Sequence, residues 1–306
     1  MAMTGQGEGR GDAVWPGLPE GVSCVIAPNA GPLTGSGTNT WILVAARPVV
    51  IDPGPDDPAH LAAILAHLDG RRPEAILVTH AHADHAGLAR PLAARTGAPV
   101  LAYGDATAGR SPAMRALAAA GHGWAGEGVA SVGAPDRALA DGEVLSMAGR
   151  RIVALWTPGH FGNHLSFEVD RAIFSGDLAM GWASTLISPP DGDVDDFIAS
   201  CRRLRGRDPA ILLPGHGAPV AGAADRLDWL IRHRQEREAA VLAHLSRGAA
   251  DLAGLTAAIY AGTDPALHPA AARNLFAHLV ALHARGRVQA TPALSPEALF
   301  SQADVG

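Results

Sequence analysis

Thr79-His80-Ala81-His82-Ala83-Asp84-His85, closed by Ala86-Gly87, puts three imidazoles and a carboxylate within six positions. The run follows Ala75-Ile76-Leu77-Val78, an apolar stretch that reads as a buried strand. Metal ions are the usual reason to crowd His and Asp in this way. Borderline metals such as zinc take neutral imidazole nitrogen and carboxylate oxygen. His80 and His82 share a face if strand pairing continues past Val78, or line one side of a tight loop if it stops. Asp84 and His85 then sit where the chain turns into a helix expected to start near Gly87. That arrangement feeds two neighbouring metal positions rather than one.

The same grammar recurs downstream. Ile152-Val153-Ala154-Leu155-Trp156 runs into Thr157-Pro158-Gly159-His160, and Ala172-Ile173-Phe174 runs into Ser175-Gly176-Asp177. Ala210-Ile211-Leu212-Leu213 runs into Pro214-Gly215-His216-Gly217. Each is an apolar β run, a Gly at the strand end, then a single His or Asp. Gly permits the close backbone approach that a ligand at a strand terminus needs. Strand ends converging on one sheet edge would supply His80, His82, Asp84, His85, His160, Asp177 and His216.

With these motifs in this order, the chain resembles the metallo-β-lactamase-fold hydrolase superfamily over roughly residues 22 to 220. The resemblance implies that His80, His82 and His160 hold one metal and that Asp84, His85 and His216 hold a second. It implies that Asp177 bridges the two. It also places Asp52, at the end of Pro48-Val49-Val50-Ile51, close behind the metal site. His164 matches a His that often follows the third motif, with a role behind the ligands or against substrate. Gly37-Thr38-Asn39-Thr40 resembles a family motif near the pocket, which makes Asn39 a candidate. A flavo-diiron oxidoreductase is disfavoured, because an acidic residue is expected there in place of the second His of the signature. The segment after His160, Phe161-Gly162-Asn163, departs from the common pattern and makes the neighbouring wall more apolar.

The chemistry follows from two divalent ions, zinc by preference, with iron or manganese as alternatives. A pair about 3.5 Å apart is typical of such sites and makes a bridging hydroxide available near neutral pH. Asp84 is the candidate to orient the nucleophile or relay a proton. No Ser or Cys nucleophile is required, and Cys24 and Cys201 lie outside the motifs.

A chain of 306 residues can bury a large core, and one large domain plus a small one is the natural expectation. All 24 basic residues are Arg, so neither Schiff-base chemistry nor a catalytic Lys is available. Net charge is −6, which offers no global attraction to nucleic acid. No apolar run is long enough for a transmembrane helix. The two cysteines and the absence of a signal-peptide core point to the cytoplasm. Oligomeric state is open.

Alternating strands and helices suit an α/β fold: an αβ/βα four-layer sandwich, two sheets face to face with helices outside. Strands are expected near 22–27, 40–45, 48–52, 75–79, 99–103, 152–156, 164–169, 172–175 and 210–213. Helices are expected over 58–68, 87–95, 112–119 and 195–204. Residues 1–20 read as a flexible N-terminus, 21–222 as the catalytic domain and 223–306 as a small C-terminal domain. Gly104 to Gly133 reads as a mobile flap holding one helix, with His122 on its surface. Helices over 226–247, 252–260 and 269–285, then a turn and short strand at 286–290, outline a winged helix-turn-helix. Together with the metal motifs, this tail resembles the β-lactamase-like protein 2 group.

Three functions fit. The first is hydrolysis of a small thioester, ester or lactone, as in the glyoxalase II branch, with Phe161 and Trp182 lining the pocket. The second is a single-strand endoribonuclease of the β-lactamase-like protein 2 type. It would need a basic groove, for which Arg202, Arg203, Arg205 and Arg207 are candidates. The third is a non-catalytic binding protein, disfavoured because both ligand sets are complete. From Arg226 to Ala290 the tail holds eight Arg against five acids, too mild for a strong nucleic-acid footprint. Packing on the core is its simpler role. Met180 to Asp193 is expected to form a substrate-side loop.

Overall fold

The structure is a computed structural model describing residues 15–123, 128–129 and 134–303. Residues 1–14 of the expected flexible terminus, and 124–127 and 130–133 of the expected flap, lie outside it. The first sheet contains β1 (Val22–Ile26), β2 (Asn39–Leu43), β3 (Val49–Ile51), β4 (Ala75–Leu77), β5 (Val100–Ala102) and β6 (Arg137–Ala138), in that order. The second contains β7 (Val144–Met147), β8 (Arg150–Trp156), β9 (Leu165–Val169), β10 (Ala172–Gly176) and β11 (Ile211–Pro214), ordered β11-β10-β9-β8-β7. Pairing is parallel across β3-β4-β5-β6 and between β10 and β11, and antiparallel elsewhere in both sheets.

The strands read as unbroken apolar runs because both faces of each sheet are covered. Alternate residues divide between two environments. Ile51, Leu77, Ala154, Phe167, Phe174 and Leu213 meet between the sheets, around Trp41. Val50 and Ile76 face outward to α1 (Pro58–Leu68), through Ile64 and Leu68. The short α2 (Ala83–Ala86) and α3 (Ala89–Thr96) add Ala86 and Leu92 to that layer. On the far side, Val153, Leu155, Ile173 and Leu212 face helices that follow later in the chain. Trp15 and Leu18 lie against the inter-sheet core, so the flexible stretch expected up to residue 20 is too long at that end.

The nine expected strands are present within two residues; the missed β6 and β7 are an exposed pair of residues and an edge strand with alternating burial. The 87–95 helix is two helices, and the first begins at Ala83. The flap helix α4 (Pro112–Ala119) is not free over residues 104–123. Its Met114 and Leu117 are buried in the C-terminal core, and Ser111 Oγ donates to Asp193 Oδ2 at 2.7 Å. His122, expected on the surface, is half-buried.

After α5 (Val194–Gly206), α6 (Ala223–Leu245) crosses onto it with Leu227 and Leu230 buried among Phe197 and Leu204. Then come α7 (Leu252–Ile259) and α8 (His268–Ala284). A three-stranded sheet of β12 (Ala250–Asp251), β13 (Val288–Thr291) and β14 (Leu299–Gln302), ordered β12-β14-β13, completes the expected wing. Leu275, Leu279 and Leu282 form an apolar stripe in the core of this unit. His278 is fully buried on that helix.

Gly159 sits at φ +139°, and a Cβ there would come within 2.3 Å of the Phe197 backbone on α5. Gly159→Ala should therefore destabilise the fold by about 1–3 kcal/mol from backbone strain. The check is the urea midpoint at unchanged m.

Candidate metal centre

β4 ends at Leu77 because the next residues are drawn elsewhere. Thr79 N and Oγ1 each donate to Asp52, at 2.7 Å. Thr79 O accepts from Leu165 N at 2.7 Å, which links the loop to the second sheet. The chain then turns at His82, the N-cap of α2, so Asp84 and His85 ride on the helix itself rather than preceding it. Of the two sequence alternatives, the tight loop is the one found.

The other ligand candidates arrive from strand ends. His160 follows β8, Asp177 follows β10 and His216 follows β11. Gly215 has to be Gly, since a Cβ would lie 2.4 Å from Asp177 Oδ1 and 2.5 Å from His85 Cε1. Thr38 pairs with His216 across the sheets, and Asn39 N donates to Gly215 O at 2.7 Å.

All seven candidates come together. His80, His82 and His160 offer ligand atoms within 4.8 Å of one another, and so do Asp84, His85 and His216. His82 Nδ1 lies 2.9 Å from His80 Nε2 and 3.0 Å from His160 Nε2. His216 Nε2 lies 3.2 Å from His85 Nε2 and 3.2 Å from Asp84 Oδ2. Asp177 stands between the groups. Its Oδ2 is 3.8 Å from His160 Nε2 and 3.3 Å from His216 Nε2, and its Oδ1 is 3.4 Å from His85 Nε2.

The electrostatics divide the same way. Burial pushes His80 well below its usual range and His82 down to about 3, so both imidazoles are neutral, the form that ligates. Burial also acts on His85 and His216, but carboxylates outweigh it. Asp177, Asp84 and Asp52 hold His85 well above its usual range, and Asp177 and Asp84 raise His216 to about 9. Asp84 and Asp177 are held low by those imidazoliums despite burial, and stay ionised. Protons here compensate two crowded carboxylates, which is the task a cation would take over.

The donor set fits divalent metal. Ring nitrogens within 3.2 Å, and the buried Asp177 Oδ1 without a hydrogen bond, are polar atoms with nothing but one another to face. Three of the remaining ring nitrogens are anchored, as is common for metal-ligating His, whereas His82 Nε2 has no hydrogen-bond partner among the described residues. His85 Nδ1 is 2.9 Å from Asp52 Oδ2, His160 Nδ1 is 2.6 Å from Leu186 O, and His80 Nδ1 is 2.9 Å from Thr79 Oγ1.

The other sequence candidates separate. Asp52 is 1 % exposed and lies behind the cluster as expected. Asn39 is buried and donates to Pro214 O and Gly217 O, so it holds the His216 loop rather than facing a substrate. His164 is fully buried, with its ring 5.3 Å from His80 and Nδ1 on Thr157 Oγ1, which puts it beside the ligand candidates and behind them. Phe161 is also fully buried, its ring 4.9 Å from His82, and it backs the ligands instead of lining an open wall. Trp182 is 46 % exposed beside the site, its Nε1 donating to His216 O at 3.3 Å. Of the arginines proposed for a groove, Arg203 pairs with Asp141, Arg205 with Asp228 and Arg207 with Glu168. The fourth, Arg202, is exposed on α5, whose start lies beside Gly159. Two features escaped the sequence reading: Thr79, visible only as part of the His run, and the Leu186 carbonyl, for which the sequence carries no signal.

The metallo-beta-lactamase superfamily model matches residues 33–216. The chain belongs to that superfamily. The model of the beta-lactamase associated winged helix domain matches residues 252–293 of this metallo-beta-lactamase-family chain. A beta-lactamase-like protein 2 homolog of Drosophila melanogaster is 25 % identical over 297 residues, covering 92 % of this chain and 94 % of the relative. An atrochrysone carboxyl ACP thioesterase of Aspergillus fumigatus is 30 % identical over 226 residues, 71 % of this chain and 62 % of that enzyme. The chain thus spans under two thirds of that relative. Among solved structures, a metallo-beta-lactamase family protein from Thermus thermophilus superposes with a TM-score of 0.73 at 26 % identity, covering 92 % of this chain and 98 % of the other.

Because His216 titrates near 9 and must be neutral to ligate, metal uptake should release protons near pH 7, and affinity should rise with pH up to about 9. Calorimetry in buffers of different ionisation enthalpy checks this; a buffer-independent enthalpy would contradict it. Asp52→Asn should weaken metal affinity by about 10–100-fold through loss of the His85 anchor, read by chelator competition.

Proposed function

We propose that this metallo-beta-lactamase-superfamily hydrolase acts on a small molecule with an apolar acyl part, a thioester, ester or lactone. The observation that supports this is the rim of the site. Leu33, Val129 and Trp182 are 54 %, 43 % and 46 % exposed and belong to segments bordering the ligand cluster. Trp182 lies against Gly217, next to His216, and against Gly35 in the turn that carries Leu33. Val129 bridges to His82, and Gly128 O accepts from Ala83 N at 2.6 Å. Exposed apolar side chains gathered at a polar cleft suit a ligand with one apolar end. The thioesterase relative is in keeping with that class.

In this reading His80, His82 and His160 would hold one divalent ion, Asp84, His85 and His216 would hold another, and Asp177, which lies between the two groups, would serve both. The ions, zinc by preference and otherwise iron or manganese, would polarise the substrate oxygen and lower the pKa of a water to about 7. The chain's own residues do the rest. Phe161 and His164 wall off the rear of the cluster, so access is from the side of His82 and Asp84, its half-buried members. Asp84 Oδ2 faces His216 and His85, which leaves Oδ1 to orient a water and take its proton. Two buried thiols, Cys24 and Cys201, accord with a reducing cytoplasm. Among the described residues no helix is long and apolar enough to cross a membrane.

One assay on protein of known metal content tests the reading. Elemental analysis counts ions per chain, and the same sample is offered thioesters, esters, lactones and labelled single-stranded RNA. The expected result is chelator-sensitive acyl turnover, abolished in Asp177→Ala with the fold retained. Chelator-sensitive RNA cleavage without acyl turnover would replace it with the endoribonuclease reading. Trp182→Ala should raise KM on the order of tenfold, equivalent to about 1.4 kcal/mol of lost contact; unchanged kinetics would remove Trp182 from the pocket.

A further inference from the structure

Arg234, on α6, is 1 % exposed and makes no ion pair with a carboxylate among the described residues. A buried guanidinium without a counter-ion is costly, so its hydrogen bonds have to compensate. They all go to one loop and one side chain. Nη2 donates to Ser184 O and Thr185 O, and Nη1 donates to Asn274 Oδ1 at 3.0 Å. The guanidinium carbon also lies 5.0 Å over the Phe197 ring. Asn274, on α8, uses the same Oδ1 to accept from Ile187 N at 2.9 Å.

These contacts bracket Leu186: Arg234 grips the two carbonyls before it and Asn274 grips the amide after it. Leu186 O is the acceptor of His160 Nδ1, at 2.6 Å. That bond leaves His160 Nε2 facing His82 and Asp177. Thr185 is a β-branched residue at φ +56°, a conformation that persists only where its surroundings over-determine it. Its Oγ1 donates to Asp177 O at 2.8 Å, so the loop also reaches the backbone of the residue between the two groups.

We propose that Arg234 and Asn274 are positioning residues through which the C-terminal helices set the His80/His82/His160 group, by fixing the Leu186 carbonyl that orients His160. This rests on the metal reading above. The planar fork of Arg matches two successive carbonyls, which a Lys ammonium cannot do. The C-terminal unit is therefore part of the metal centre's support.

Zinc affinity of the apo-protein, read by chelator competition, and hydrogen exchange of the 184–188 amides test this. Arg234→Met keeps the buried volume apolar, and Asn274→Ala is the milder change should the first fail to fold. Both should weaken one zinc-binding step by about 10–100-fold, leave the other unchanged, and speed exchange in the loop. Arg285→Gln cuts the ties of Arg285 to Glu238 and Asp195 without touching the loop, and should leave both steps unchanged. Folded Asn274→Ala protein with wild-type affinity at both steps would overturn the proposal, as would an equal loss in Arg285→Gln. Wild-type protein that binds no ion would remove the metal reading itself, a separate outcome.

Discussion

One buried carboxylate organises the site. Asp52 leaves β3 at φ +53° and accepts from Thr79 N, Thr79 Oγ1 and His85 Nδ1. The first two bonds stop β4 and turn the chain; the third aims the imidazole that the next helix carries. A carboxylate with three donors is satisfied even at 1 % exposure, and it adds negative charge where His85 must be held. Backbone bonds from Leu165 N to Thr79 O and from Gly54 N to His85 O secure the two ends of the run, and Asp52 joins them.

Everything else about the cluster follows from where strands end. The sheets face each other across an apolar layer, and their ligand-bearing loops open on the same edge. Contacts such as Leu165 N to Thr79 O and Asn39 N to Gly215 O tie one sheet's loops to the other's. Seven polar residues can then be crowded into a mostly buried space. The cost of burial falls on the imidazoles, which lose their protons, or is offset by carboxylates, which keep them protonated. His80 and His82 are thereby neutral beside a charged His85 and His216.

The C-terminal helices pack on the catalytic core and hold one of its loops. Arg226 and Arg234 spend their donors on carbonyls of the 180–185 loop, and the arginines at the end of α5 spend theirs on Asp141, Asp228 and Glu168. Met114 and Leu117 of α4 join the C-terminal core, so the segment read as a mobile flap is anchored over its described first part. The loop from Met180 to Asp193, read as a wall for substrate, is a wall at Trp182 and a brace at Thr185 to Ile187.

The sequence by itself picked out the His and Asp residues that cluster at the site, and most of the strands. The His-x-His-x-Asp-His run and the strand–Gly–ligand repeats are local patterns, and doubly covered strands must be apolar along their whole length. It missed β6, β7, β12 and β14, which are short or lie at edges where burial alternates or lapses. Only the tertiary structure decided which candidates touch and which merely support. His164, Phe161 and Asn39 look like pocket residues in sequence but are buried behind the cluster, whereas Arg234 and the Leu186 carbonyl carry no signature, and Thr79 shows only as the start of the His run. The reason is physical: a ligand is chosen by the chemistry of its own side chain, but a residue that positions it is chosen by reach. Reach across contacts such as Arg234 to Thr185 exists only once the sheets and helices have packed.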